Sequence, residues 1–242
     1  MTVPDKATRN LTIPLSEDHT VTGILTRPES CRPGETPGLV LAHGANNDLN
    51  HPLLVAVAER LAAQGAASSL RFNFPYAERG ASHPDRPAVL EDAYRRAHDA
   101  LVDDDVCPPG PVFLGGKSLG ARVAAELVSR QQEGEGLLAS GLIFLGYPLH
   151  APGAKDRPRV ESLRRIGVPS LFVEGSRDPF CDLDLLGSIA ESLDAPGTLF
   201  VVEGGGHSLE ITKTADRSQE QVYDAVAAEI ARFMRSHSSP AS

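Results

Sequence analysis

The stretch Pro111 to Ala121, Pro-Val-Phe-Leu-Gly-Gly-Lys-Ser-Leu-Gly-Ala, constrains the fold of this chain more than any other. Its apolar start reads as a buried strand. Gly116-Lys117-Ser118-Leu119-Gly120 fits G-x-S-x-G, and Ala121 to Arg130 continues with helical spacing of Ala and Leu. Strand, sharp turn and helix in that order expose a serine at the turn, because glycines two before and two after it let the strand and helix backbones approach closely. The helix begins beside Ser118, so its unpaired N–H groups and positive dipole end face any negative charge that develops there. A bare pentapeptide is weak evidence, so its context decides what it means.

That context is a repeated alternation. Leu11 to Ile13 and Thr20 to Thr26 predict an antiparallel edge pair. The apolar run Gly38 to Ala42 predicts a strand buried on both faces, followed by a helix over Pro52 to Gln64 with Gly65 as its C-terminal cap. Further strands are expected at Ser69 to Phe74, Gly141 to Gly146, Pro169 to Glu174 and Thr198 to Val202. Further helices are expected at Ala88 to Asp103, Arg159 to Ile166, Leu183 to Leu193 and Arg217 to Arg235. Repeated strand-helix units imply an α/β fold: a doubly wound, mostly parallel sheet of about eight strands in one domain over residues 1–242, with a disordered tail from His237. Only Tyr147 to Pro158 separates the Gly141 strand from the next helix, which is too short for a cap domain.

In such a sheet, functional groups gather at the carboxyl ends of the strands. A serine hydroxyl is a poor nucleophile without a base, and the base needs a third group to orient it. Ser176-Arg177-Asp178 follows one predicted strand and Gly204-Gly205-Gly206-His207 follows the last, in the chain order Ser, Asp, His of the nucleophile-elbow pattern. His207 is therefore the expected base and Asp178 its orienter, with Glu174 and Asp182 as fallbacks. Two backbone donors are needed for an oxyanion: Leu119 N–H is the first, and the turn His43-Gly44-Ala45-Asn46 supplies the second, from Ala45 or, next, Asn46. Lys117, Arg122, Arg79, Arg86 and Arg157 are candidates to meet an anionic substrate, although Arg122 is also spaced to pair with Glu126 on its own helix.

A formal net charge of −9 argues against nucleic acid or an anionic membrane as partner and leaves a small molecule. Cys31, Cys107 and Cys181 are odd in number and widely spaced. They predict neither a disulfide framework nor a zinc site and fit a reducing, cytoplasmic compartment, as does an opening segment with no apolar run. Asp103-Asp104-Asp105 has no histidine nearby and reads as a solvated helix end rather than a metal site. Gly115-Gly116-Lys117-Ser118 lacks the first glycine of a phosphate-binding loop, so no cofactor is expected.

With these motifs the chain resembles the α/β-hydrolase superfamily, over nearly all of residues 10–236, and within it the small lidless dienelactone-hydrolase-like proteins. More narrowly it is similar to bacterial hydrolase-like proteins related to a regulatory subunit of an animal histone-acetylating complex. The matching segments are Leu41 to Ala45, Arg71 to Tyr76, Gly115 to Arg122, Leu145 to His150, Arg177 to Phe180 and Gly206 to Ser208. Asn46 and Leu119 stand where that group often has glycine and methionine. The resemblance implies the fold and a triad of Ser118, His207 and Asp178 but no substrate; the leading expectation from the residues is a serine hydrolase that cleaves a small ester or thioester. An acyltransferase or cyclase with the same three residues, or a non-catalytic interaction protein on a hydrolase scaffold, is the alternative.

Overall fold

The computed structural model describes residues 6–131, 134–151, 153–195, 197–212 and 215–238. Its strands are β1 (Lys6–Pro14), β2 (Thr20–Pro28), β3 (Gly38–Ala42), β4 (Ser68–Phe72), β5 (Val112–Lys117), β6 (Gly141–Leu145), β7 (Ser170–Gly175) and β8 (Gly197–Val202). They form one eight-stranded sheet in the order β1-β2-β4-β3-β5-β6-β7-β8. β1 pairs with β2, and β2 with β4, in antiparallel fashion; the remaining neighbours are parallel. β3, β4, β6 and β7 are buried along their whole length, as parallel strands covered on both faces must be.

Among the described residues six α-helices flank the sheet: α1 (Pro52–Ala63), α2 (Pro75–Glu78), α3 (Pro87–Val102), α4 (Leu119–Ser129), α5 (Leu183–Ser192) and α6 (Gln219–Ser236). One hydrophobic cluster joins α3, α4 and α5 to one face of the sheet through residues such as Tyr94, Leu127, Phe144 and Leu186. A second, with Leu53, Val57, Phe113, Val226 and Phe233, joins α1 and α6 to the other. The Tyr94 hydroxyl reaches the sheet from α3. It accepts the Gly115 N–H at 2.8 Å and lies 2.8 Å from Gly115 O and 3.2 Å from Val40 O, tying β3 to β5 below the site.

Several expectations are corrected. The first strand starts at Lys6 rather than Leu11, because its polar residues sit on an outer edge where only one side must pair. The strand expected to run to Phe74 ends at Phe72. Pro75 then opens α2 within the segment expected to be loop, as a proline without an N–H suits a first helical turn. The helix expected over Arg159 to Ile166 shrinks to a single 3-10 turn, Leu163–Arg165. Cys31 and Cys107 are joined in a disulfide across 76 residues, while Cys181 is free. Such cross-links persist in oxidising surroundings, so the cysteines no longer support a reducing compartment. Between β6 and β7 that 3-10 turn is the sole helical segment among the described residues, and no cap domain is present. Among the described residues no helix is long and apolar enough to cross a membrane. The tail expected to be disordered lies outside the described residues from 239 onward.

Candidate active site

β5 delivers Ser118 at the carboxyl edge of the sheet, one residue before α4 begins. Its backbone is held at φ 53° and ψ −107°, a conformation a residue with a Cβ adopts only when the surroundings force it. The forcing contacts are visible. Ser118 N–H donates to Leu145 O of β6 at 3.1 Å, and a Cβ on Gly116 or Gly120 would press into Ala42 O of β3. With glycine at both positions, α4 starts directly against the end of β3, which carries the His43 turn.

Ser118 Oγ is 2.9 Å from His207 Nε2, and His207 Nδ1 is 2.7 Å from Asp178 Oδ2. The other carboxylate oxygen of Asp178 accepts the Phe180 N–H at 2.8 Å, and the Phe180 ring meets the imidazole edge-on, with centroids 4.7 Å apart. The Asp178 side chain is fully buried, whereas that of His207 is 17% exposed, so the imidazole has one side open to a ligand. The loops carrying these residues are fastened to each other: Ser176 N–H donates to Val202 O at 3.0 Å, Arg177 N–H to Gly205 O at 2.8 Å, and Gly204 N–H to Ser176 Oγ at 2.8 Å. Glu210 closes the His207 loop by accepting the Gly206 N–H at its carbonyl and the Ser208 N–H at its carboxylate, at 2.9 and 2.8 Å. A chain of serine, imidazole and carboxylate so linked can move a proton from the hydroxyl to the imidazole while the carboxylate offsets the new charge.

The turn after β3 is built around His43. Its Nε2 accepts the Phe74 N–H at 3.0 Å, which leaves the proton on Nδ1, 2.8 Å from Gly44 O. The Tyr76 hydroxyl donates to the same oxygen at 3.0 Å. Burial pushes the His43 pKa down, so the ring stays neutral and acts as a structural brace. Asn46 takes φ 57°, and Asn47 donates to Ala45 O at 2.7 Å. Leu119 N–H, at the start of α4, and Ala45 N–H both lack partners among the described residues. The structure thus brings together Ser118, Asp178, His207, Leu119 and the Ala45–Asn46 turn.

The fallback acids occupy other places. Asp182 caps α5 by accepting the Leu185 N–H at 3.0 Å. Glu174 is fully buried at the end of β7, with one oxygen accepting the Tyr147 N–H at 2.5 Å and the other unpartnered. Burial lifts its pKa well above the carboxylate range. Of the basic candidates, Arg79 pairs with Asp85 at 2.8 Å and Arg157 with Asp156 at 3.6 Å. Arg86 precedes α3 on the exposed surface. The Arg122–Glu126 helix pair that the spacing allows is not formed among the described residues, where Glu126 meets Arg165 at 3.8 Å. Lys117 is buried with no hydrogen bond or ion pair among the described residues. Burial lowers its pKa against the opposing pull of Glu210 and Asp178. Asp104 of the acidic run is an ion-pair partner of Arg27, at 3.0 Å, and of Arg9, at 3.3 Å.

Sequence reasoning missed the raised pKa of Glu174 and two residues, Tyr147 and Arg159, that line one cavity with Leu119 at the start of α4. Tyr147 directly follows an apolar strand, which is the one signal that marks it; Arg159 has none. Among the described residues no group of three or more His, Cys, Asp or Glu side chains is placed to hold a metal ion.

Residues 35–235 match the family model described as alpha/beta hydrolase domain. Among solved structures, the chain is similar to a dienelactone hydrolase from Anabaena variabilis at 18% identity, covering 96% of this chain and 98% of that one, with a TM-score of 0.70. It is also similar to an α/β serine hydrolase without lid from Xanthomonas campestris, at 17% identity, 97% and 96% coverage and a TM-score of 0.69. Est1E from Butyrivibrio proteoclasticus, with ferulic acid bound, matches at 15% identity, 93% and 99% coverage and a TM-score of 0.71.

Proposed function

The chain belongs to the alpha/beta hydrolase domain family, and on that premise we propose that it is a serine hydrolase cleaving a small ester or thioester through an acyl-enzyme. Ser118 Oγ attacks the carbonyl as His207 Nε2 takes its proton, and Asp178 holds the imidazole in the tautomer that leaves Nε2 free to accept. The oxyanion is received by the Leu119 and Ala45 N–H groups, with Asn46 as the neighbouring donor. The α4 dipole adds to the stabilisation at no cost in reorganisation, because the turn geometry is set by the fold. His207 then passes its proton to the leaving group, and water, deprotonated by the same imidazole, releases the acid. The observation that carries this reading is the unbroken run of hydrogen bonds from Ser118 Oγ through His207 to Asp178, at 2.9 and 2.7 Å.

The solved structures named above support the ester-like substrate class by fold alone. The narrower resemblance to proteins related to a histone-acetylating complex is not shown by the family model or by the solved structures named above, and it adds no substrate.

The test is reaction with a fluorophosphonate probe followed by peptide mapping, together with hydrolysis of 4-nitrophenyl butyrate. The expected result is a single label on Ser118 and a rate that Ser118→Ala lowers on the order of 10³-fold or more. Folded protein that neither labels at Ser118 nor hydrolyses the ester would overturn the proposal.

A further inference from the structure

Beside the first turn of α4 lies a cavity of about 400 Å³, a volume suited to a small organic ligand. Leu90, Leu119 and Val123 give it an apolar floor; Arg122, Arg159 and Tyr147 form its polar wall. It shares Leu119, the residue after Ser118, with the candidate oxyanion site, which places it next to the nucleophile along the chain.

The charges around it are unevenly matched. Of the three carboxylates that also line it, Glu91 pairs with Arg130 at 2.5 Å and Glu126 with Arg165, itself a lining residue, at 3.8 Å, while Glu161 is exposed. Arg122 and Arg159 make no ion pair among the described residues, although both line the same cavity. Burial and then the nearby Arg122 charge lower the pKa of Arg159, against a smaller opposing pull from Tyr147, so the two guanidiniums are close enough to repel each other. Tyr147 is buried, its pKa pushed up to about 12 chiefly by burial, so its phenol remains a neutral donor or acceptor beside the two cations. Planar guanidinium forks match a carboxylate in bidentate geometry, and a partly desolvated pair of them gains most from one.

We propose that Arg122 and Arg159 form a subsite for a carboxylate carried by the substrate a few bonds from its scissile carbonyl. This rests on the reading of Ser118 as nucleophile. Arg122 N–H donates to Ser118 O at 3.1 Å. Four residues of helix rise place its Cα about 6 Å further along α4, so a chain of a few carbons spans the two positions. The carboxylate belongs either to the acyl chain or to the leaving group, and substrate design separates these sources.

Two matched pairs of esters read the subsite. Mono-4-nitrophenyl adipate against its methyl ester places the carboxylate on the acyl side; 4-(butyryloxy)phenylacetate against its methyl ester places it on the leaving group. In one pair kcat/KM should favour the acid about tenfold or more, the range of a charge-assisted pair. That ratio should collapse toward one in Arg159→Gln and in Arg122→Gln and recover in part in Arg159→Lys. Methyl esters cleaved at least as fast as the acids in both pairs, or a ratio unmoved by both glutamine variants, would overturn the inference while leaving the hydrolase reading intact. Calorimetric titration of Ser118→Ala with adipate and with dimethyl adipate reads the same subsite without turnover. Preferential binding of the diacid, weakened about tenfold by adding Arg159→Gln, supports the inference; equal binding of acid and ester, or none, ends it.

Discussion

Replacing Ser118 by glycine and, separately, by alanine isolates the backbone cost stored at the turn. At φ 53° and ψ −107° the residue lies well away from the compact left-handed basin, and a Cβ there costs ~1–3 kcal/mol. Alanine keeps the Cβ and therefore the cost. Glycine sheds it but loses ~0.5–1 kcal/mol more backbone entropy on folding. Both variants lose the hydroxyl and its 2.9 Å contact with His207, so that contribution cancels between them. The balance makes Ser118→Gly more stable than Ser118→Ala by about 1 kcal/mol, or about 2–4 °C in Tm for a chain of this size. Differential scanning calorimetry of the two variants measures the gap. An exposed mid-helix position supplies the control: Arg96→Gly should be less stable than Arg96→Ala by about 1 kcal/mol, the reverse order. A glycine variant at or below its alanine counterpart at position 118 would show that the turn is not strained, and the reasoning from its dihedral angles would fail.

Tyr94→Phe removes the acceptor of the Gly115 N–H inside β5 and should cost about 1–3 kcal/mol, read as a lower urea midpoint; an unchanged midpoint would show that another group accepts that proton. Asp178→Asn should lower kcat/KM for 4-nitrophenyl butyrate on the order of 10³-fold by leaving His207 misoriented, whereas Glu174→Gln, which replaces a neutral acid by a neutral amide, should change it little; the opposite ranking would transfer the orienting role to Glu174. The His51 pKa is lowered from 6.5 to about 4, chiefly by burial, so the unfolded chain binds more protons than the folded one as pH falls below about 6.5, and stability is lost from there down through about 4. Glu174, with its raised value, acts with the opposite sign above 4.5, so urea midpoints are best compared in a Glu174→Gln background. There His51→Asn, which retains a side-chain acceptor for Leu53 N–H, should shrink the loss of stability between pH 7 and pH 5, and an undiminished loss would assign it elsewhere.

Much of this was legible in the sequence because parallel strands buried on both faces are continuous apolar runs, and Gly38–Ala42 or Gly141–Leu145 can be read with little ambiguity. Ser118 and Asp178 are singled out as candidates because each follows such a run, and His207 because it follows the apolar but only partly buried edge strand β8; position after a strand carries information that residue type alone lacks. The 3-10 turn misread as a helix shows the limit: Val160, Leu163 and Ile166 are buried at a spacing of three, which a single tight turn satisfies as well as an α-helix does. The disulfide was illegible for a different reason. Cys31 and Cys107 meet because the loop after β2 and the loop before β5 bind each other, Gly34 N–H to Pro108 O at 2.8 Å and Gly110 N–H to Thr36 O at 3.0 Å. No local pattern encodes that closure.

The two acids at the end of β7 show how the surroundings divide one chemical type into two behaviours. Asp178 is given what an anion needs, the Phe180 N–H on one oxygen and His207 Nδ1 on the other. Glu174, four residues earlier, receives one N–H from Tyr147 and nothing on its second oxygen, and it is fully buried, so it is held in the neutral form. That difference bears on proton transfer. Asp178 adds to the forces keeping Glu174 uncharged, and a neutral Glu174 in turn leaves Asp178 free of a second negative charge, so that the carboxylate beside His207 is matched to the single positive charge the imidazole acquires. The neutral glutamic acid is thus a condition on the site's charge balance, even though it touches neither Ser118 nor His207 by any hydrogen bond.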